Sequence, residues 1–190
     1  MQSKFIRTLA LAPLFYCGAA LAHPGHDGGL LAGLAHPFSG LDHMLAAVAV
    51  GIWAAQLGGR ARWMLPMSFI ALLATGGMMG MAGVGIAALE SAIIASVLVL
   101  GLSIAFKVKP MPAAGALMVG AFALVHGLAH GAEMPHAGSA GMYFVGILMS
   151  SGALLAGGML AGAALRRQQA WLRGAGALIA LGGAWIGAAF

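Results

Sequence analysis

Apolar residues run along this chain in long blocks with few polar interruptions. Six blocks, at 38–58, 63–83, 87–106, 111–131, 141–165 and 171–190, each come near the ~20 residues that cross a bilayer as a helix. The last is the weakest, because Arg173 trims its charge-free length. The connections are short, so successive helices should pack antiparallel, and no soluble domain, coiled coil or low-complexity tail separates them. The pattern predicts an all-α integral membrane protein with six transmembrane helices.

The start of the chain reads differently. MQSKFIRTLALAPLFYCGAALA carries Lys4 and Arg7, then a short apolar stretch, then small residues at Ala20 and Ala22. This is the pattern of a cleaved secretory signal peptide over 1–22; an uncleaved first membrane helix is the alternative. Residues 23–190 would then form one transmembrane permease domain, led by a short His-rich arm beginning at His23. Cys17 lies inside the removed segment, and bulky Tyr16 before it argues against lipoprotein processing. The mature chain would hold no cysteine, which excludes disulfides and thiolate metal sites.

Composition agrees with the membrane reading. The chain is 62% hydrophobic and 7% charged, with a mean hydropathy of +0.98, whereas a soluble domain carries roughly 25% charged residues. Its 31 glycines include pairs four apart at Gly76/Gly80, Gly127/Gly131, Gly158/Gly162 and Gly183/Gly187, the spacing at which membrane helices approach closely. A net charge of +5 does not indicate nucleic acid, because the basic residues never cluster beyond two neighbours. After the signal they are Arg60, Arg62, Lys107, Lys109, Arg166, Arg167 and Arg173, all in or beside the first, third and fifth connections. Positive-inside logic puts those connections in the cytoplasm and both mature termini in the periplasm of a bacterial inner membrane. No phosphate-binding G-x-x-x-x-G-K-[ST] loop is present, so a nucleotide partner is not expected.

This orientation gathers the polar chemistry on one face. His36, Asp42 and His43 open the first span, Glu90 opens the third, and His126, His130, Glu133 and His136 close the fourth. At roughly 100° per residue, His126, His130 and Glu133 share one helical arc of about 60°, so two imidazoles and a carboxylate can address one ion. Pro135 suits a helix end and Pro37, just after His36, a helix start. Asp42 and His43, being adjacent, diverge; either both flank a ligand or one orients a histidine. Asp42 and Glu90 could instead serve as dipole-complementing carboxylates at helix N-termini. Ionisable groups inside a membrane are costly and tend to be functional, and a collection of this size points to a metal path. Imidazole with carboxylate and no thiolate suits nickel, cobalt or zinc. Met78, Met79 and Met81 could add soft ligands, though methionine in an apolar chain is commonly packing. The HPGHDGG arm, with His23, His26 and Asp27, offers further metal-capturing groups or a merely polar tail.

HPFSGLDHMLAAVAVGIWA and HGLAHGAEMP closely resemble the two signature motifs of the HupE/UreJ family of bacterial nickel or cobalt permeases. The resemblance covers essentially the whole chain and implies metal import for hydrogenase or urease maturation. Carried onto this sequence, its motif positions are His36, Asp42, His43, His126, His130 and Glu133. The transported ion and the lipid bilayer are then the partners, with cytoplasmic metallochaperones as receivers; no cofactor or nucleic acid is expected, and the oligomeric state stays open. A zinc-dependent intramembrane hydrolase of the alkaline-ceramidase type, which also uses His and Asp on membrane helices, is the alternative.

Overall fold

The computed structural model describes residues 29–134 and 139–189. The expected signal peptide and the groups at His23, His26, Asp27, Pro135 and His136 lie outside these residues. The described chain forms seven helices: α1 (Leu30–Ser39), α2 (Leu41–Leu57), α3 (Ala61–Met81), α4 (Leu89–Ala105), α5 (Pro112–Ala132), α6 (Ala140–Leu165) and α7 (Gln169–Ala188). Among the described residues there is no strand.

Five of the six expected blocks correspond to α3 through α7. The first does not begin at Pro37 as expected. Pro37 lies inside α1, and the chain turns by 86° between α1 and α2 at Gly40, whose backbone is extended. The apolar stretch LLAGLA is helical because it has a surface to lie on. Gly33 of α1 and Gly146 of α6 meet backbone to backbone, so closely that a Cβ on either would collide with the other helix.

Three helices, α3, α5 and α6, are long and apolar enough to cross a membrane, and the bent α1–α2 pair makes a fourth candidate. The 17-residue α4 is about 26 Å long at ~1.5 Å per residue, short of a ~30 Å hydrocarbon core. Gln169 and Arg173 sit in the first turns of α7.

Packing is paired: α3 lies chiefly on α5, α2 on α6 and α4 on α7. Each pair closes on glycine. Gly76 and Gly80 face the backbone of α5, while Gly127 and Gly131 face that of α3. Gly158 and Gly162 receive Val48 and Ile52 of α2, and Gly183 and Gly187 receive Val97 and Ile94 of α4. Lipid tails are as apolar as leucine, so such contacts hold membrane helices by close van der Waals packing. Helix α2 occupies the centre, with Ala46, Ala49, Val50, Trp53 and Ala54 buried. It ends at Gly58, whose positive φ of 68° suits a residue without a Cβ.

This arrangement orients α5. Its glycine face is committed to α3, which leaves the neighbouring histidine face directed at the α1–α2 corner and α4.

Candidate metal centre

Three segments carry the expected chemistry to one end of the bundle. The α1–α2 corner brings His36, Asp42 and His43, the end of α5 brings His126, His130 and Glu133, and the first turn of α4 brings Glu90. The bend at Gly40 matters here. It lets His36 on α1 and His43 on α2 approach α5 from two directions, which a straight helix over the same residues would not allow. A Cβ at Gly40 would stand 2.9 Å from Asp42 Oδ1 and 3.1 Å from His43 Nδ1, so the glycine keeps the corner clear.

The tightest group is His36, His130 and Glu133. One potential ligand atom from each lies within 4.8 Å of the other two. His36 Nε2 is 3.2 Å from Glu133 Oε2, and the His36 and His130 rings are 4.9 Å apart. His130 is buried, His36 half-buried and Glu133 exposed, so the trio grades from solvent into the protein. The contact with His36 holds the Glu133 carboxyl below its ordinary range, outweighing partial burial, which acts in the opposite sense. An ionised carboxylate with two imidazoles is a donor set for a borderline divalent cation.

Beside the trio, Asp42 Oδ1 accepts from the His43 backbone N–H at 2.8 Å and lies 2.8 Å from His43 Nδ1. Of the two roles open to the adjacent pair, the structure supports the orienting one: a carboxylate fixing an imidazole is a common arrangement behind a metal ligand. The His43 ring is 4.2 Å from that of His130 and 4.7 Å from that of His126. His126 lies deeper, with its Nε2 2.8 Å from Ser96 Oγ.

A cavity of about 370 Å³ opens onto this group, lined in part by His36, Asp42, His43, Glu90 and Glu133. Glu90 contributes to that mouth but does not join the trio; it is exposed in the first turn of α4, where the helix dipole favours a carboxylate. Met78, Met79 and Met81 do not line the cavity, and Met78 and Met81 are exposed on α3.

Two residues at the site carried no signal in the sequence. Tyr143, buried on α6, places its ring 5.5 Å from His36. Ser96 is one serine among several, and only the fold brings it to His126.

The sequence model of the family described as HupE / UreJ protein matches residues 10–186. Protein HupE of Rhizobium leguminosarum bv. viciae is 49% identical over 146 residues, which is 76% of this chain and 76% of that protein. No solved structure matches the chain.

Proposed function

Because the chain belongs to the HupE/UreJ family, we propose that it is a permease importing nickel or cobalt, with His36, His130 and Glu133 as its entry site. The observation that carries this reading is the geometry of that trio, which grades from an exposed carboxylate to a buried imidazole beneath an open cavity. Such a gradient draws a hydrated cation in by charge and replaces its water with nitrogen ligands.

The chain crosses the inner membrane six times, with the α1–α2 pair as one broken span and the short α4 packed beside α7. Non-helical backbone at membrane depth is tolerated where it lines a cavity, as Gly40 does here. The trio faces the periplasm and the basic connections face the cytoplasm, with both mature termini outside after cleavage at Ala22. His23, His26 and His136 contribute to metal capture. The imported ion passes to cytoplasmic metallochaperones for hydrogenase or urease maturation.

Nothing in the described inner halves of the helices forms an Asp, Glu or His relay of the kind that couples transport to protons. The membrane potential supplies the drive: a divalent cation gains about 4.6 kcal/mol per 100 mV, twice the ~2.3 for one charge. That corresponds to on the order of a thousandfold accumulation at ~1.4 kcal/mol per tenfold.

Uptake of radioactive nickel by cells making the protein tests the reading. Uptake above that of control cells, lost in a His130→Ala variant made at normal level, is expected. Hydrolysis of lipid amides by purified protein, with no nickel uptake, would transfer the site to the hydrolase reading.

A further inference from the structure

The imidazoles do not stop at the entry trio. His36, His130, His43 and His126 form a row, with successive ring centroids 4.9, 4.2 and 4.7 Å apart. The row runs from half-buried His36 to His126, which is 1% exposed. Its inner part contains no carboxylate ligand and is not accounted for by the entry site.

Hydrogen bonding specifies where the inner lone pairs point. Asp42 Oδ1 can only accept, so a neutral His43 carries its proton on Nδ1 and presents its lone pair at Nε2. That Nε2 is buried without a hydrogen-bond partner. At His126 the same logic runs through a hydroxyl. Ser96 Oγ donates its one proton to Ile93 O at 2.7 Å, so its oxygen accepts from His126 Nε2–H at 2.8 Å. The lone pair of His126 is thereby left on Nδ1. His130 Nδ1 is likewise buried without a partner. Buried polar atoms are nearly always paired, so each one that is not needs an explanation, and a bound cation supplies one for both nitrogens. The two lie on rings 4.2 Å apart.

Resting on the transport reading above, we propose that His43, His126 and His130 form a second, inner metal station made only of imidazoles, which receives the nickel or cobalt ion from the entry trio through His130. His130 belongs to both stations, so one ion moves between them instead of two being held together. The ion leaves the Glu133 carboxylate on this step, and Asp42 balances part of its charge through His43. Ser96 is a positioning residue: it touches no ion but sets which nitrogen of His126 is free.

The purified full-length protein in lipid nanodiscs, titrated with Co²⁺, provides the test, because the visible spectrum of cobalt reports its ligands. The double variant His36→Ala/Glu133→Gln lacks two of the three entry ligands. It should still bind one Co²⁺, with the spectrum of a nitrogen-only set. Ser96→Ala should bind Co²⁺ at the entry trio with the affinity of the parent protein, yet lose at least tenfold in cobalt uptake. Ser96→Thr, which keeps the hydroxyl, should regain that uptake; added to the double variant, Ser96→Ala should abolish the nitrogen-only spectrum, which a purely structural role for the hydroxyl at Ile93 would leave in place. Parent protein that binds Co²⁺ while the folded double variant binds none overturns the inner station alone. Parental uptake by Ser96→Ala also overturns it. Parent protein that neither binds nor transports cobalt removes the transport reading itself, and the inner station with it.

Discussion

The two ends of the bundle both concentrate polar side chains, and they use them in opposite ways. At the basic end, side chains complete backbone hydrogen bonding. Trp53 Nε1 donates to Val108 O, Gln56 Nε2 to Ile104 O and Arg173 Nε to Ala105 O. All three acceptors lie in the last turn of α4 or just beyond it, where carbonyls run out of the i+4 partners of the helix. At the histidine end, side chains hold one another, and buried nitrogens of His43 and His130 are left without a partner. Gln56 Oε1 is the exception at the basic end. The difference separates a structural use of polarity, which closes every bond it can, from the ligand-binding use proposed for the histidine end, which holds lone pairs in reserve. Mere presence of ionisable groups at a membrane face distinguishes the two ends poorly.

Deleting a side chain from each end separates the two uses. His130→Ala should reduce nickel uptake to background, a loss of a hundredfold or more, because His130 joins the trio and neighbours His43. Uptake per folded molecule, corrected by immunoblot, is the measurement, and near-normal transport would remove the functional meaning of the histidine end. Asp42→Asn keeps the shape but weakens the hold on His43, and a group behind a metal ligand is worth roughly 10–100-fold in affinity or activity. Cobalt affinity of the purified variant should fall within that range.

Acidity probes the histidine end in another way. Metal competes with protons for imidazole, and a free histidine titrates near ~6.5. Uptake should therefore weaken once external pH is low enough to protonate the ligand imidazoles. Glu133 does not contribute to this loss. Its carboxyl is held low by His36, so its ionised form is retained until the pH drops below the ordinary ~4.3 of a glutamate. A flat profile at fixed membrane potential would count against imidazole ligation.

Next in size is the scaffold. Gly127→Ala would set a methyl group against the α3 backbone at Gly76 and Gly77, and overpacking of this kind costs about 1–3 kcal/mol. Thermal unfolding in detergent should register it. The smallest effect belongs to the basic end. Trp53→Phe removes one hydrogen bond, worth about 0.5–1.5 kcal/mol, and should leave uptake per folded molecule unchanged.

Much of the fold was legible because a ~20-residue apolar block bounded by charges or glycine has few alternatives to a helix. The corner was not. Pro37 and Gly40 are both helix punctuators, and nothing local says which one breaks the chain; contact between Gly33 and Gly146 decides it. The site was legible as a set of residues more than as an arrangement. His126, His130 and Glu133 share a helical arc, but seven residues advance about 10 Å along the axis at ~1.5 Å each. A single ion therefore does not collect all three. His130 and Glu133 turn to His36, and His126 turns to Ser96, a partner from another helix that no spacing within α5 could reveal.

Whether this chain alone carries nickel through the histidine end is decided in proteoliposomes containing only the purified protein. A potassium diffusion potential, negative inside and with no pH difference, is imposed while radioactive nickel is supplied outside. Entry should follow the potential and be absent with Glu133→Gln. A requirement for a proton gradient, or equal entry with Glu133→Gln, would contradict potential-driven transport through the histidine end.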